Sequence, residues 1–158
     1  MSDKYKTTSW SDHIELYMKS SFENMLLPTL DGKSNEPVIT DFSKMNLVVF
    51  TASWCTPCRE EIPLLKEIYN DLKTNLIITY ITLDDKKTIE TFKDLLRNEN
   101  IPFRTLLASR EDEDIRKKYF IVRGIPHVLL VYPDKRMDII EIRDGVQKEK
   151  LYAVCKRF

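Results

Sequence analysis

Apolar positions along the chain switch between helical and strand-like spacing, and the switches outline a series of alternating elements. Positions 11–25 read as an amphipathic helix, with Ser11 as its cap and Ile14, Tyr17, Met18, Phe22 and Met25 at helical spacing. Leu26 to Leu30 and Val38 to Phe42 flank a segment containing Asp31-Gly32, which signals a hairpin with a long loop. Leu47-Val48-Val49-Phe50-Thr51 has no polar alternation, as suits a central strand covered on both faces. A helix follows directly: Ile62, Leu65, Ile68, Tyr69 and Leu72 make one apolar stripe, and Arg59, Glu60, Lys66, Glu67 and Lys73 fill much of the rest. Pro63 lies inside it, removing one hydrogen bond and crowding the carbonyl of Arg59, so a kink is predicted there.

Leu76 to Leu83, rich in Ile and Thr, is a second strand; Ile89, Phe92, Leu95 and Leu96 mark a helix closed by Asn100 and the extended pair Ile101-Pro102. Phe103 to Leu107 reads as a short strand. Ser109 then caps a helix that opens with Glu111-Asp112-Glu113-Asp114 and continues into Arg116-Lys117-Lys118, an order that matches the helix dipole and explains the charge run without a partner. Val128 to Tyr132 and Met137 to Ile142 surround Pro133-Asp134-Lys135-Arg136 as a closing hairpin. Gly145 precedes a last helix with Leu151, Val154, Cys155 and Phe158 on one stripe. This order predicts an α/β fold with a mixed central sheet and helices on both faces.

A length of 158 residues suits one main domain and leaves no room for a second catalytic one. With 25 basic and 25 acidic side chains there is no overall field for phosphate backbones or anionic lipid, so no nucleic-acid partner is expected. The longest apolar runs fall far short of the roughly 20 residues of a transmembrane segment. The three glycines, Gly32, Gly124 and Gly145, stand alone, which excludes a glycine-rich phosphate loop.

Three cysteines are too few, and odd in number, for a disulfide-stapled secreted scaffold; two of them form Cys55-Thr56-Pro57-Cys58. The strand, CxxC, helix order puts Cys55 at or near the helix N-cap, where unpaired N–H groups and the dipole favour the thiolate. Cys55 is therefore the expected nucleophile, and Cys58, one turn in and less exposed, the resolving thiol. Pro57 is tolerated because its missing N–H would have had no partner. Two other readings of the pair are half of a zinc site and an idle pair. Zinc needs four ligands, and the remaining candidates are Cys155, on an apolar stripe, and the distant His13 and His127. No metal and no cofactor beyond the redox-active Cys55–Cys58 disulfide is expected, and Cys155 reads as a core residue.

The stretch from Val48 to Pro63, with Trp54-Cys55-Thr56-Pro57-Cys58 at its centre, resembles the active-site region of thioredoxins, and most of all the TlpA/ResA branch of membrane-associated or secreted thiol-disulfide oxidoreductases. Val122-Arg123-Gly124-Ile125-Pro126, followed by Val128 to Tyr132, is similar to the cis-proline segment of that superfamily. Phe22 to Lys33 is similar to the branch's N-terminal hairpin. The resemblance implies a thioredoxin-like fold over residues 22–158, with an extension at 1–21. It implies a cis bond before Pro126 beside the CxxC, with the Ile125 backbone free to pair with an extended substrate segment. Trp54 would shield the site. Thioredoxins proper carry an aspartate six positions before the first cysteine, where this chain has Val49; Glu61, three residues after Cys58, matches a glutamate of the ResA branch and is the candidate proton acceptor. His127 reads as a strand histidine satisfied by its neighbours.

These readings together predict a thiol-disulfide oxidoreductase that reduces or isomerises protein disulfides through a mixed disulfide and is recharged by a separate redox partner. The non-enzymatic alternative is a thioredoxin-like interaction module of a larger envelope protein. A peroxidase is disfavoured because Ala52 and Val48 stand where that chemistry needs a hydroxyl residue and a proline. A monomer is expected. The family likeness implies the periplasm or cell envelope, whereas the start Met1-Ser2-Asp3-Lys4, with no visible signal peptide, points to the cytoplasm or a trimmed chain.

Overall fold

Strand β3 (Met45–Thr51) is buried at all seven positions, which is why its sequence carries no polar alternation. The computed structural model describes residues 21–108 and 112–157, and in it β3 is the centre of a five-stranded sheet. On one side it pairs in parallel with β4 (Leu76–Thr82), which pairs in parallel with β5 (Arg104–Leu107). On the other it pairs antiparallel with β6 (His127–Val131), followed by β7 (Met137–Ile140). Val49 lies opposite Tyr80 on one neighbour and Val128 on the other.

Side chains alternate across β3, so the sheet has two cores. Leu47 and Val49 face a cluster with Leu65, Ile68 and Leu72 of α2 (Ile62–Leu72), Phe92 of α3 (Ile89–Asn98), and Leu151 and Cys155 of α5 (Gly145–Cys155). Val48 and Phe50 face a second cluster with Ile115 of α4 (Asp112–Lys118), Tyr119 and the N-terminal hairpin residues Leu27 and Val38. Helices therefore cover both faces, and the chain has a thioredoxin-like fold.

The hairpin is present, with β1 (Leu26–Pro28) paired to β2 (Asn35–Pro37). Its second strand lies ahead of the expected Val38 to Phe42: the Val38 N–H still donates to the Met25 carbonyl at 3.0 Å, but the Ile39 N–H donates to Asn24 Oδ1 instead of a strand carbonyl, and both side chains are buried in the core. Arg104 ties the hairpin to the sheet edge, its guanidinium donating to Glu36 Oε1 and the Pro37 carbonyl, each at 3.0 Å, and to the carbonyl of Val38.

The helix expected over 11–25 lies largely outside the described residues; its last positions, 21–25, are not helical. Instead Phe22 stacks on Tyr119 with ring centroids 5.0 Å apart, and the Tyr119 hydroxyl donates to the carbonyl of Glu23. Ser109, Glu111 and Phe158 are also outside the described residues, while the basic last turn of α4 is as expected. Gly145 begins the final helix, which Asp144 caps by accepting from the N–H groups of Val146 and Gln147.

Candidate active site

The site forms where β3 ends and the chain turns into α1 (Thr56–Glu60). Cys55 is the N-cap, with an extended backbone, and its Sγ accepts from the Cys58 N–H at 3.3 Å. That donor is one of the N–H groups a helix start leaves unpaired, aimed at the sulfur that would carry negative charge. The two cysteines are joined as a disulfide, with Cα atoms 5.2 Å apart. Cys55 is 6% exposed and Cys58 2%, so the first is the more accessible.

Pro63 has the effect expected of it. The helix is interrupted at Glu61 and resumes as α2, with the Glu61 N–H reaching back to the carbonyls of Pro57 and Cys58 at 3.2 Å. Glu61 keeps a helical backbone at this junction, and its side chain lies on the same face as the buried Leu65 and Ile68. Its carboxylate is 1% exposed, has no hydrogen-bond partner at Oε1, and lies 3.6 Å through Oε2 from Nε of Arg143. Burial, reinforced by the Glu141 charge and opposed by Arg143, pushes Glu61 up to about 7.

The Ile125–Pro126 peptide bond is cis, and the Ile125 carbonyl oxygen lies 3.8 Å from Cys55 Sγ. The Ile125 side chain packs on the cluster of Ala52, Cys55 and Cys58. Beside this contact runs an open groove of about 430 Å³, lined by Pro57, Ile125, Pro126, Ile140, Glu141 and Arg143 among others. Trp54 stands outside the core with 58% of its surface exposed. His127 is buried, its Nε2 2.9 Å from the carbonyl of Tyr119, and burial pushes it down to about 4. It is a neutral, satisfied strand histidine. Cys155 is fully buried in the first core, and burial pushes its thiol up to about 11. Among the described residues no group of three or more metal-ligating side chains converges.

The sequence thus named Cys55, Cys58, Ile125 and Pro126, which meet at one end of the sheet, and Glu61, one turn after Cys58 on the same chain segment. It missed two features. Arg143 and Glu141 come from the connection between β7 and α5, and nothing in their spacing ties them to Glu61. Asp84, 3% exposed at the end of β4, accepts from the Ser53 N–H at 2.9 Å, from Ser53 Oγ at 2.5 Å and from the Thr82 hydroxyl. An acid at the carboxyl end of a strand parallel to the one that carries the CxxC was the available signal.

Comparison with known proteins agrees with this geometry. A family model described as thioredoxin-like matches residues 43–137. The chain is 32% identical over 85 residues to a probable nucleoredoxin 1 of Arabidopsis thaliana, covering 52% of this chain and 14% of that protein. It is 27% identical over 135 residues to the thiol-disulfide oxidoreductase ResA of Bacillus thuringiensis, covering 85% of this chain and 74% of that one. Among solved structures, the thioredoxin domain of a thiol-disulfide oxidoreductase from Bacteroides vulgatus superposes with a TM-score of 0.73 at 24% identity, over 86% of this chain and 96% of that one. With its CxxC pair, its cis-proline and its sheet order in agreement with a match over more than half its length, the chain belongs to the thioredoxin-like family.

Proposed function

We propose that this protein is a thiol-disulfide oxidoreductase that reduces or isomerises protein disulfides through a mixed-disulfide intermediate. The observation that carries the reading is the placement of Cys55 Sγ: at a helix N-cap, facing the Cys58 N–H, disulfide-paired with Cys58 and next to the Ile125 carbonyl. The names of the ResA and Bacteroides relatives support it.

In the reducing direction the Cys55 thiolate attacks one sulfur of a substrate disulfide. A Cys55–substrate disulfide forms and the other substrate sulfur leaves as a thiolate. Cys58 then loses its proton to the Glu61 carboxylate and attacks Cys55 Sγ; the mixed disulfide breaks, releasing the second substrate thiolate. The substrate disulfide has gained two electrons and the Cys55–Cys58 pair has lost two; the proton that Glu61 took from Cys58 passes to one substrate thiolate, and the other takes its proton from solvent, which replaces the one Cys55 released on becoming a thiolate. A reduced dithiol partner protein returns the electrons. Ile125 and Pro126 would hold an extended substrate segment against Cys55, and the exposed ring of Trp54 would cover it. The likeness to ResA favours an extracytoplasmic setting, in the periplasm or cell envelope. The buried Cys155 offers no thiol for a covalent dimer, in keeping with a monomer.

Reduction of insulin by dithiothreitol, catalysed by wild type and lost in Cys55→Ser, is the expected result. Equal rates with and without Cys55 would overturn it in favour of a non-catalytic interaction module.

A further inference from the structure

Glu61 is buried with one carboxylate oxygen unpartnered, and the cation nearest the other is Arg143, 42% exposed and set on the wall of the groove. The guanidinium is shared. Its Nε lies 3.2 Å from Glu141 Oε1 and 3.6 Å from Glu61 Oε2, and the Arg143 backbone N–H also donates to Glu141 at 3.1 Å. Glu141 is held in turn by its own N–H, which donates to Gln147 Oε1 at 2.7 Å. Among the described residues, the charged and titratable groups that bear on Glu61 are therefore Arg143 and Glu141 from the β7–α5 connection and Tyr80 from β4; Glu60 acts on Arg143. Tyr80 is fully buried and stays neutral, because desolvation raises its phenol far above the working range. One cation and one competing anion are left to decide how readily Glu61 carries charge.

We propose that Arg143 is a positioning residue for the resolving step, its guanidinium divided between Glu141 and Glu61 so as to keep a charged Glu61 carboxylate available one turn from Cys58. This inference rests on the reading of Glu61 as the proton acceptor. A carboxylate with no hydrogen-bond donor at one oxygen and no solvent has few ways to remain ionised, and an opposite charge at this distance is the strongest of them. Glu141 works against it, both by repelling Glu61 and by drawing the guanidinium away. Because Arg143 and Glu141 also wall the groove beside Ile125 and Pro126, the charge that tunes Glu61 lies where an extended substrate would pass.

The two residues should move Glu61 in opposite directions, which a merely structural role would not produce. The test is the pH profile, from pH 5 to 9, of the single-turnover resolution of a Cys55 mixed disulfide with a model peptide thiol, together with a carbon-13 NMR titration of the Glu61 carboxyl. Arg143→Gln should move both midpoints alkaline by about one pH unit, a roughly tenfold loss of rate on the acid limb. Arg143→Lys should restore most of that, and Glu141→Gln should move the midpoints acid. In a Glu61→Gln background, Arg143→Gln should add nothing. If Glu61→Gln alters the profile but Arg143→Gln overlays wild type, or shifts it equally without Glu61, the role of Arg143 is overturned and the acceptor reading stands. If Glu61→Gln itself overlays wild type, the acceptor reading falls and takes this inference with it. Should Arg143→Gln fail to fold, Arg143→Met, which also removes the charge, and Glu141→Gln carry the test, and midpoints unmoved in both overturn it.

Discussion

The carbonyl oxygen of Ile125 lies 3.8 Å from Sγ of Cys55, so two segments separated by seventy residues meet at the sulfur expected to react. The Ile125 side chain packs on Ala52, Cys55 and Cys58 and keeps this corner apolar. A carboxylate there would repel the developing thiolate. Ile125→Asp is expected to slow alkylation of reduced Cys55 by iodoacetamide at pH 7 about tenfold, whereas Ile125→Val should stay near wild type. An unchanged rate in the aspartate variant would show that Ile125 does not border the reactive sulfur.

Two buried groups give the oxidised protein opposing pH dependences. Burial raises Glu61 from 4.5 to about 7, so the stability tied to its neutral form is fully present below pH 4.5 and lost as pH rises through 7. Burial lowers His127 from 6.5 to about 4, so its contribution is present above pH 6.5 and lost as pH falls through 4. The slopes oppose each other between pH 4.5 and 6.5. In Glu61→Gln only the histidine slope remains, and urea unfolding across pH 4 to 8 should show the variant gaining on wild type by about 3 kcal/mol between pH 4.5 and 7. Parallel curves would count against a Glu61 whose titration is raised by burial.

Asp84 holds the approach to the cysteines by accepting from the Ser53 N–H and hydroxyl and the Thr82 hydroxyl. Asp84→Ala strands these donors in the interior, and a loss of about 3 kcal/mol is expected in chemical denaturation. Asp84→Asn keeps an acceptor oxygen and should lose less. Equal losses in the two variants would mean that the packing of the side chain matters, not its hydrogen bonds.

Cys155 contributes volume to the core, not chemistry. Cys155→Ala should cost roughly 1–2 kcal/mol of stability and leave insulin reduction unchanged. In the reduced native protein, two thiols should react with an aromatic disulfide reagent and the third only after unfolding, because burial holds the Cys155 thiol near 11. Labelling of all three in the folded state would place Cys155 at the surface.

Local features were legible because their physics is local. The unbroken apolar run of β3, the stripe of α2, the Pro63 interruption and the N-cap position of Cys55 each depend on residues within a turn or a strand of one another. The motif around Ile125-Pro126 was legible as a family resemblance, and the cis bond is where that resemblance put it. The start of β2 was misjudged because Val38 and Ile39, apolar enough for a strand, are taken up by the second core.

The sequence by itself determined the alternation of elements, the redox pair on a helix tip and an acid one turn beyond it, since spacing along the chain decides all three. Only the tertiary structure decided what surrounds that acid. Chain folding brings Arg143 and Glu141 to it and Asp84 to Ser53. Desolvation and charge act through space at a few ångströms, and no periodicity records which distant residues will share that space.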